Sequence, residues 1–194
     1  MNKQQTEEII RILISKDVKF DDGLTDDEIL KIELEFDIKF PPDYKLFIQT
    51  ALPISEEFVN WREALYSIET KSKILSKLAW PLDGLLFDLQ SNNFWIDAWG
   101  DMPDNYYEKE IIAKRYYASS PQLIPVYSHR YIPSEPSESG NPIFSVYQMD
   151  IIYYGYDLAT YLATEFHFTL PDNFTPPEEP IREIKFWSDW ADNN

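Results

Sequence analysis

The first fifty residues place apolar side chains in short stripes at helical spacing, separated by turn signals. Ile9 and Leu13, and again Ile10 and Ile14, stand four apart and predict a short helix over positions 5–15, with Asp21-Asp22-Gly23 as the turn that follows. Thr25 precedes Glu28 by three residues, the spacing at which each side chain satisfies a free backbone N–H of the other. Ile29, Ile32 and Phe36 then share one face of a second helix. The diproline Pro41-Pro42 ends that pattern and opens another, because proline lacks only an N–H that a first helical turn leaves unpaired. Tyr44, Phe47, Ile48, Ala51 and Leu52 carry this third helix toward Pro53.

Asn60 and Glu63 repeat the cap spacing before a helix expected to reach about Lys77, with an interrupted stripe of Leu65, Ile68, Leu75 and Leu78. From Ala79 the periodicity changes, and GLLFDLQSNNFWIDAWG reads as two short β-rich runs joined at Ser91-Asn92-Asn93 in a hairpin. Asp104 is placed to cap a helix through Tyr117, with Tyr107 and Ile111 on its apolar face. Positions 123–127 and 143–147 read as strands on either side of the polar loop PSEPSESGNP, whose Glu135 and Glu138 put its tip in water, and positions 151–154 extend the sheet. Asp157 caps LATYLATEF, where Leu158, Tyr161, Leu162 and Phe166 form a ridge. Pro171, Pro176, Pro177 and Pro180 break the tail, whose Phe186, Trp187 and Trp190 require cover from the body or from a partner.

A chain of 194 residues, 44% hydrophobic and 16% aromatic, supplies one substantial core. No Gly/Ser linker divides it, so a single domain is expected over 1–170, followed by a proline-interrupted acidic extension at 171–194 that docks in part.

Charge changes the picture most. There are 34 acidic residues against 17 Lys and Arg, a formal net charge of -17, and the excess is shared between both halves of the chain. Such a surface repels nucleic acid backbones and anionic membranes and attracts a basic protein. Self-repulsion that keeps a protein in solution is the plainer explanation of the same charge. The chain has no Cys, which excludes disulfides, thiolate chemistry and Cys-based zinc sites. No apolar run approaches the roughly 20 residues that span a bilayer, and the N-terminus lacks a continuous signal-peptide core, so a cytoplasmic location is expected.

Two constellations carry candidate chemistry. In FWIDAWG, an extended backbone points Trp95 and Asp97 to the same side, where the carboxylate can meet an indole N–H or a base; the other reading is a sheet rim with one core Trp and a solvated Asp. In LIPVYSHRYIP, Arg130 is suited to clamp a carboxylate or phosphate and His129 to change protonation near neutral pH. Adjacent strand residues point to opposite faces, however, so His129, Arg130 and Tyr131 cannot all converge. A structural polar network, partner recognition and catalysis all stay open for this trio. Catalysis has little further support. The two histidines, His129 and His167, form no H-E-x-x-H motif, and the 5 glycines form neither a G-x-S-x-G elbow nor a phosphate-binding loop. No enzyme activity, metal or cofactor is therefore expected.

The segment LTDDEILKIELEFDIKFPPDYKLFIQTA sets Ile32, Glu35 and Phe36 before Phe40, Pro41, Asp43, Tyr44 and Phe47. In that order these residues resemble the N-terminal signature of the SUKH superfamily, in its Smi/Knr branch. GLLFDLQSNNFWIDAWGDMP, PQLIPVYSHRYIPSEPSESGNPIFSVYQMDIIYYG and DLATYLATEF are similar to a bacterial subgroup, so the resemblance covers about residues 25–168; it departs at Thr50-Ala51-Leu52, where relatives commonly carry an Asn-Gly turn. The resemblance implies an α+β fold with a single central sheet, mixed or mainly antiparallel, flanked by helices. It implies a cytoplasmic immunity protein that neutralises a cognate polymorphic or contact-dependent toxin, with a basic nuclease among the candidates. Fungal relatives are regulatory or scaffolding interaction modules, the alternative use of the same fold. Trp95, Trp99, His129, Arg130, Tyr131 and Gly155 fall on characteristic subgroup positions. Together with the neighbouring acids, Trp95, Asp97, Trp99, Asp101, His129, Arg130 and Tyr131 are the candidate partner-binding residues. Self-association is left open.

Overall fold

The Thr25–Glu28 cap forms where the sequence places it. In the computed structural model, which describes residues 1–148, 150–174 and 181–192, Asn2 and Gln5 close a capping box on α1 (Lys3–Ser15) and Thr25 and Glu28 close one on α2 (Asp26–Phe36). Glu28 has a second duty. Its carboxylate receives Arg62 Nε at 2.6 Å, and that guanidinium also reaches Asp21 and the Asp22 and Gly23 carbonyls, tying the chain after α1 to the start of α2. The Arg62 bonds, followed by those from Thr25, hold the Glu28 carboxyl at about 2.

Pro42 starts α3 (Pro42–Thr50), but the helix stops two residues before the apolar stripe does. Ala51 and Leu52, expected as its last turn, belong instead to β2 (Ala51–Pro53), which pairs antiparallel with β1 (Phe20–Asp22) in the register Phe20↔Pro53 and Asp22↔Ala51. Pro53 disfavours helical backbone at Leu52, and an extended Leu52 is still fully buried.

The larger correction concerns residues 60–97. Asn60 does cap a helix, accepting from the Glu63 N–H, yet α4 (Trp61–Ala64) is a single turn. Ser67 then recaps the chain by accepting from Thr70, and α5 (Ile68–Ser91) runs for 24 residues through the first of the two expected β runs, ending where the hairpin turn was expected. Pro81 lies inside it. A proline there removes the N–H that would bond the carbonyl four residues earlier, that of Lys77. The Tyr131 hydroxyl donates to that same carbonyl at 2.9 Å, so the fold supplies the missing donor. Leu85 and Leu89, four apart, are buried. Between them and Pro81, Gly84 lets the helix approach the Gln148 backbone so closely that a Cβ would lie 2.7 Å from Gln148 Cα. The second expected β run has no strand: Asp97–Trp99 forms one 3-10 turn.

This arrangement predicts a measurable coupling. Tyr131→Phe leaves the Lys77 carbonyl unsatisfied and is expected to cost about 1–3 kcal/mol in urea unfolding. In a Pro81→Ala background the restored N–H takes over, and the same change should cost less than about 1 kcal/mol. Equal costs in the two backgrounds would refute the assignment.

Asn105, one residue after the expected Asp104, caps α6 (Tyr106–Tyr117) by accepting from Glu108. Its expected apolar face is corrected too: Tyr107 and Ile111 are 71% and 50% exposed, and the fully buried residue is Ala113. Ala113 belongs to the second core, and Ile112, Tyr116 and Tyr117 of the same helix pack against that core while partly exposed.

Four strands, β3 (Leu123–Tyr127), β4 (Arg130–Pro133), β5 (Ile143–Tyr147) and β6 (Asp150–Gly155), pair in sequence order, each antiparallel to the next. The fold is therefore α+β with several helices and two antiparallel sheets, where a single sheet was expected. The period of two along each strand sorts side chains between two cores. Ile124, Val126, Ile132 and Ile143 join the residues of α1 to α4 and of α7 (Leu158–Glu165), while Leu123, Tyr131, Phe144, Val146 and Ile151 face Leu85, Leu89 and Ala113. The 135–139 loop tip is exposed, and Asp157 caps α7 in a capping box with Thr160.

In the tail, Phe186 and α8 (Trp187–Ala191) lie in the second core, where Trp187 is 1% exposed and its indole N–H donates to the Pro121 carbonyl at 2.6 Å. Pro176, Pro177 and Pro180 lie outside the described residues. No helix among the described residues is long and apolar enough to cross a membrane.

Candidate functional site

The sheet separates Arg130 from its two neighbours in the His-Arg-Tyr run. Arg130 points to the α7 side, where Nε donates to Glu165 at 3.2 Å, Nη1 donates to Ser145 Oγ at 2.8 Å, and the guanidinium carbon lies 3.6 Å from the Tyr154 ring centroid. With its side chain only 11% exposed, this arginine is engaged within the protein. Tyr131 points to the opposite face and holds the Lys77 carbonyl.

His129 sits in the β3–β4 turn after Ser128, whose φ of 46° makes the tight reversal. Its Nδ1 is 3.2 Å from Ser128 Oγ, and burial, reinforced by Arg130, holds the imidazole below its ordinary pKa. His129 lines a notch of about 340 Å³ with Lys77, Trp80, Tyr131 and Tyr147, so two of the three candidate residues meet there. The Lys77 amine donates to the Ser128 carbonyl at 2.8 Å, so that turn is also tied to α5.

The other candidates meet in a different place. Trp95 does not use Asp97; its indole N–H donates to the Gly100 carbonyl at 2.7 Å, across the 3-10 turn. The ring stands edge-on to Trp99 with centroids 5.2 Å apart, and Trp99 stacks on Tyr116 at 5.6 Å. Asp97 and Asp101 are exposed. Phe94 stacks on Trp190 of α8 at 4.5 Å, which brings the C-terminal segment against this loop. The result is a cleft of about 580 Å³ between residues 94–98 and α8, with Phe94, Trp95, Ile96 and Trp190 as apolar walls and Asp97 and Asp189 at its rim. Trp190 is buried, and its indole N–H has no hydrogen-bond partner among the described residues. Trp99 lies behind the wall. No hydrogen bond, ion pair or ring contact among the described residues joins this group to His129, Arg130 and Tyr131.

A larger groove, about 920 Å³, runs between α2–α3 and the 118–122 and 134–137 segments. Its walls mix Lys39 and Lys45 with Glu33, Asp37 and Glu135, so it presents no single sign of charge. The aromatic cleft differs in that its walls are apolar and its charged residues, Asp97 and Asp189, are both acidic.

Sequence reasoning singled out Trp95, Asp97, Trp99 and Asp101 but assigned neither Asp189 nor Trp190 to a site. A short echo was available as a signal: Phe94-Trp95-Ile96-Asp97 and Phe186-Trp187-Ser188-Asp189 share the order F-W-x-D, and each places its aspartate at this cleft. Compared with protein-family models, with curated proteins and with solved structures, the chain matches none of them.

Proposed function

We propose that this protein is a non-enzymatic immunity protein of the SUKH type, Smi/Knr-like, that binds and neutralises a basic toxin, a nuclease being the best-suited class. The observation that carries the reading is the aromatic cleft with Asp97 and Asp189 at its rim, on a chain of net charge -17. Interfaces concentrate their binding energy in buried aromatics, and rim charges steer the encounter. A nuclease presents positive charge to its nucleic acid substrate, so an acidic protein can occupy the same surface. The immunity protein is a cytoplasmic one in this reading, and its direct contact with nucleic acid or membrane is disfavoured by charge. The four-stranded sheet, covered by apolar residues on both faces, supports its assignment as the central sheet of that family, with β1–β2 as an addition.

Co-expression with the products of neighbouring genes tests the proposal. A toxin domain should co-purify, its toxicity should be relieved, and association should slow as salt is raised. Failure to capture or neutralise any neighbouring toxin would overturn it. Capture of a signalling or envelope-biogenesis protein would favour the regulatory use of the fold.

A further inference from the structure

The cleft is more specific than a general acidic surface. Its apolar walls are fixed before any partner arrives: Trp95 is tied to Gly100, braced edge-on by Trp99, and Phe94 is stacked on Trp190. A preorganised wall of this kind loses little freedom on binding. The rim carries two carboxylates from separate segments, Asp97 on the 3-10 turn and Asp189 on α8. A ligand that fits has an apolar stem and a planar cationic head. We propose that the cleft is the receptor for one arginine side chain of the basic partner, its methylenes against Phe94 and Ile96, its guanidinium over the Trp95 indole and toward the exposed Asp97. This rests on the binding reading given above.

Arginine fits better than lysine for a physical reason. Its guanidinium is flat, weakly hydrated and able to stack on an aromatic face while donating sideways to carboxylates, whereas an ammonium is a compact, strongly hydrated point charge.

The test needs no toxin. N-acetyl-arginine methylamide is titrated into the intact chain while the indole N–H resonances are followed, with those of Trp95 and Trp190 assigned by substitution. Both should shift saturably. The citrulline counterpart, equal in shape but uncharged, and the lysine counterpart should each bind at least about fivefold more weakly. Asp97→Asn, at an exposed side chain that holds no hydrogen bond of the fold among the described residues, should weaken arginine binding about threefold with an unchanged melting temperature. Equal binding of citrulline or lysine, or no effect of Asp97→Asn, would overturn the inference. Arginine binding without capture of any toxin would leave the receptor standing and remove the immunity reading. Toxin capture with no arginine response would remove the receptor alone.

Discussion

Tyr44→Asp is expected to lower the unfolding free energy by about 3 kcal/mol or more, enough to abolish the folded state if the protein is of ordinary stability. Tyr44 is 1% exposed in α3, packed edge-on against Phe40 at 5.7 Å, and its hydroxyl accepts from the Trp61 indole N–H at 3.0 Å. Trp61 in turn meets Phe36 and Phe40, so one side chain joins α2, α3 and α4. Burial pushes even the neutral phenol's pKa above its ordinary value, a measure of how little this site tolerates charge. A carboxylate there is either ionised without a partner or protonated at a cost, and the cavity left by the ring adds to both. Tyr44→Phe keeps the ring and orphans only the Trp61 N–H, for about 1–3 kcal/mol. Urea unfolding followed by far-ultraviolet circular dichroism measures both variants. Equal stability of Tyr44→Asp and the parent would show that the aromatic cluster does not hold the N-terminal helices together.

Gly155→Ala is the second large effect. Gly155 ends β6, where α7 crosses it, and a Cβ there would lie 2.5 Å from Tyr161 Cβ, 2.7 Å from its Cα and 2.8 Å from its nitrogen. Two of those atoms are backbone, so no rotamer change relieves the clash and the helix itself must move. The same helix carries Glu165, the ion-pair partner of Arg130, and Tyr161, which is fully buried. The expected loss is about 3 kcal/mol, at the upper end for overpacking, with the β6–α7 amides losing hydrogen-exchange protection first. An alanine variant of parental stability with unchanged exchange would mean that α7 does not approach the strand this closely.

The sequence was most legible where structure is local. The Thr25-Glu28 and Asp157 caps, the start of α3 at Pro42, and the buried stripe of Ile29, Ile32 and Phe36 follow from interactions three or four residues apart. The errors gather where a distant group changed the local balance. The helix expected to end near Lys77, and the apolar run from Gly84 expected as a strand, are one helix that contains Pro81, and nothing near in sequence replaces the donor that this proline denies to the Lys77 carbonyl. Tyr131 does, from 54 residues away. In the same way, the stripe that predicted Ala51 and Leu52 as helical was a sound reading of which residues are buried and a wrong one of their backbone. Two residues of β1, Asp21 and Asp22, offered them an extended partner.

The candidate site divides along the same line. That Arg130 and Tyr131 face opposite ways was contained in the period of two along a strand; that Arg130 is consumed by Glu165, Ser145 and Tyr154 was not, because those partners come from three other elements. The Trp95 loop was visible as chemistry but not as a cleft, since its second wall is Trp190, 95 positions later. By itself the sequence determined the starts of α2, α3 and α7, the burial of the apolar stripes of α2 and α3 and the surplus of negative charge, all of which depend on residue type and short spacing. Only the tertiary structure decided that α5 survives its proline, that two F-W-x-D segments share one concavity, and which polar side chains are already engaged. Each of those outcomes is a contact between groups far apart in the chain, and such contacts form only when the sheet and its two cores bring the segments together.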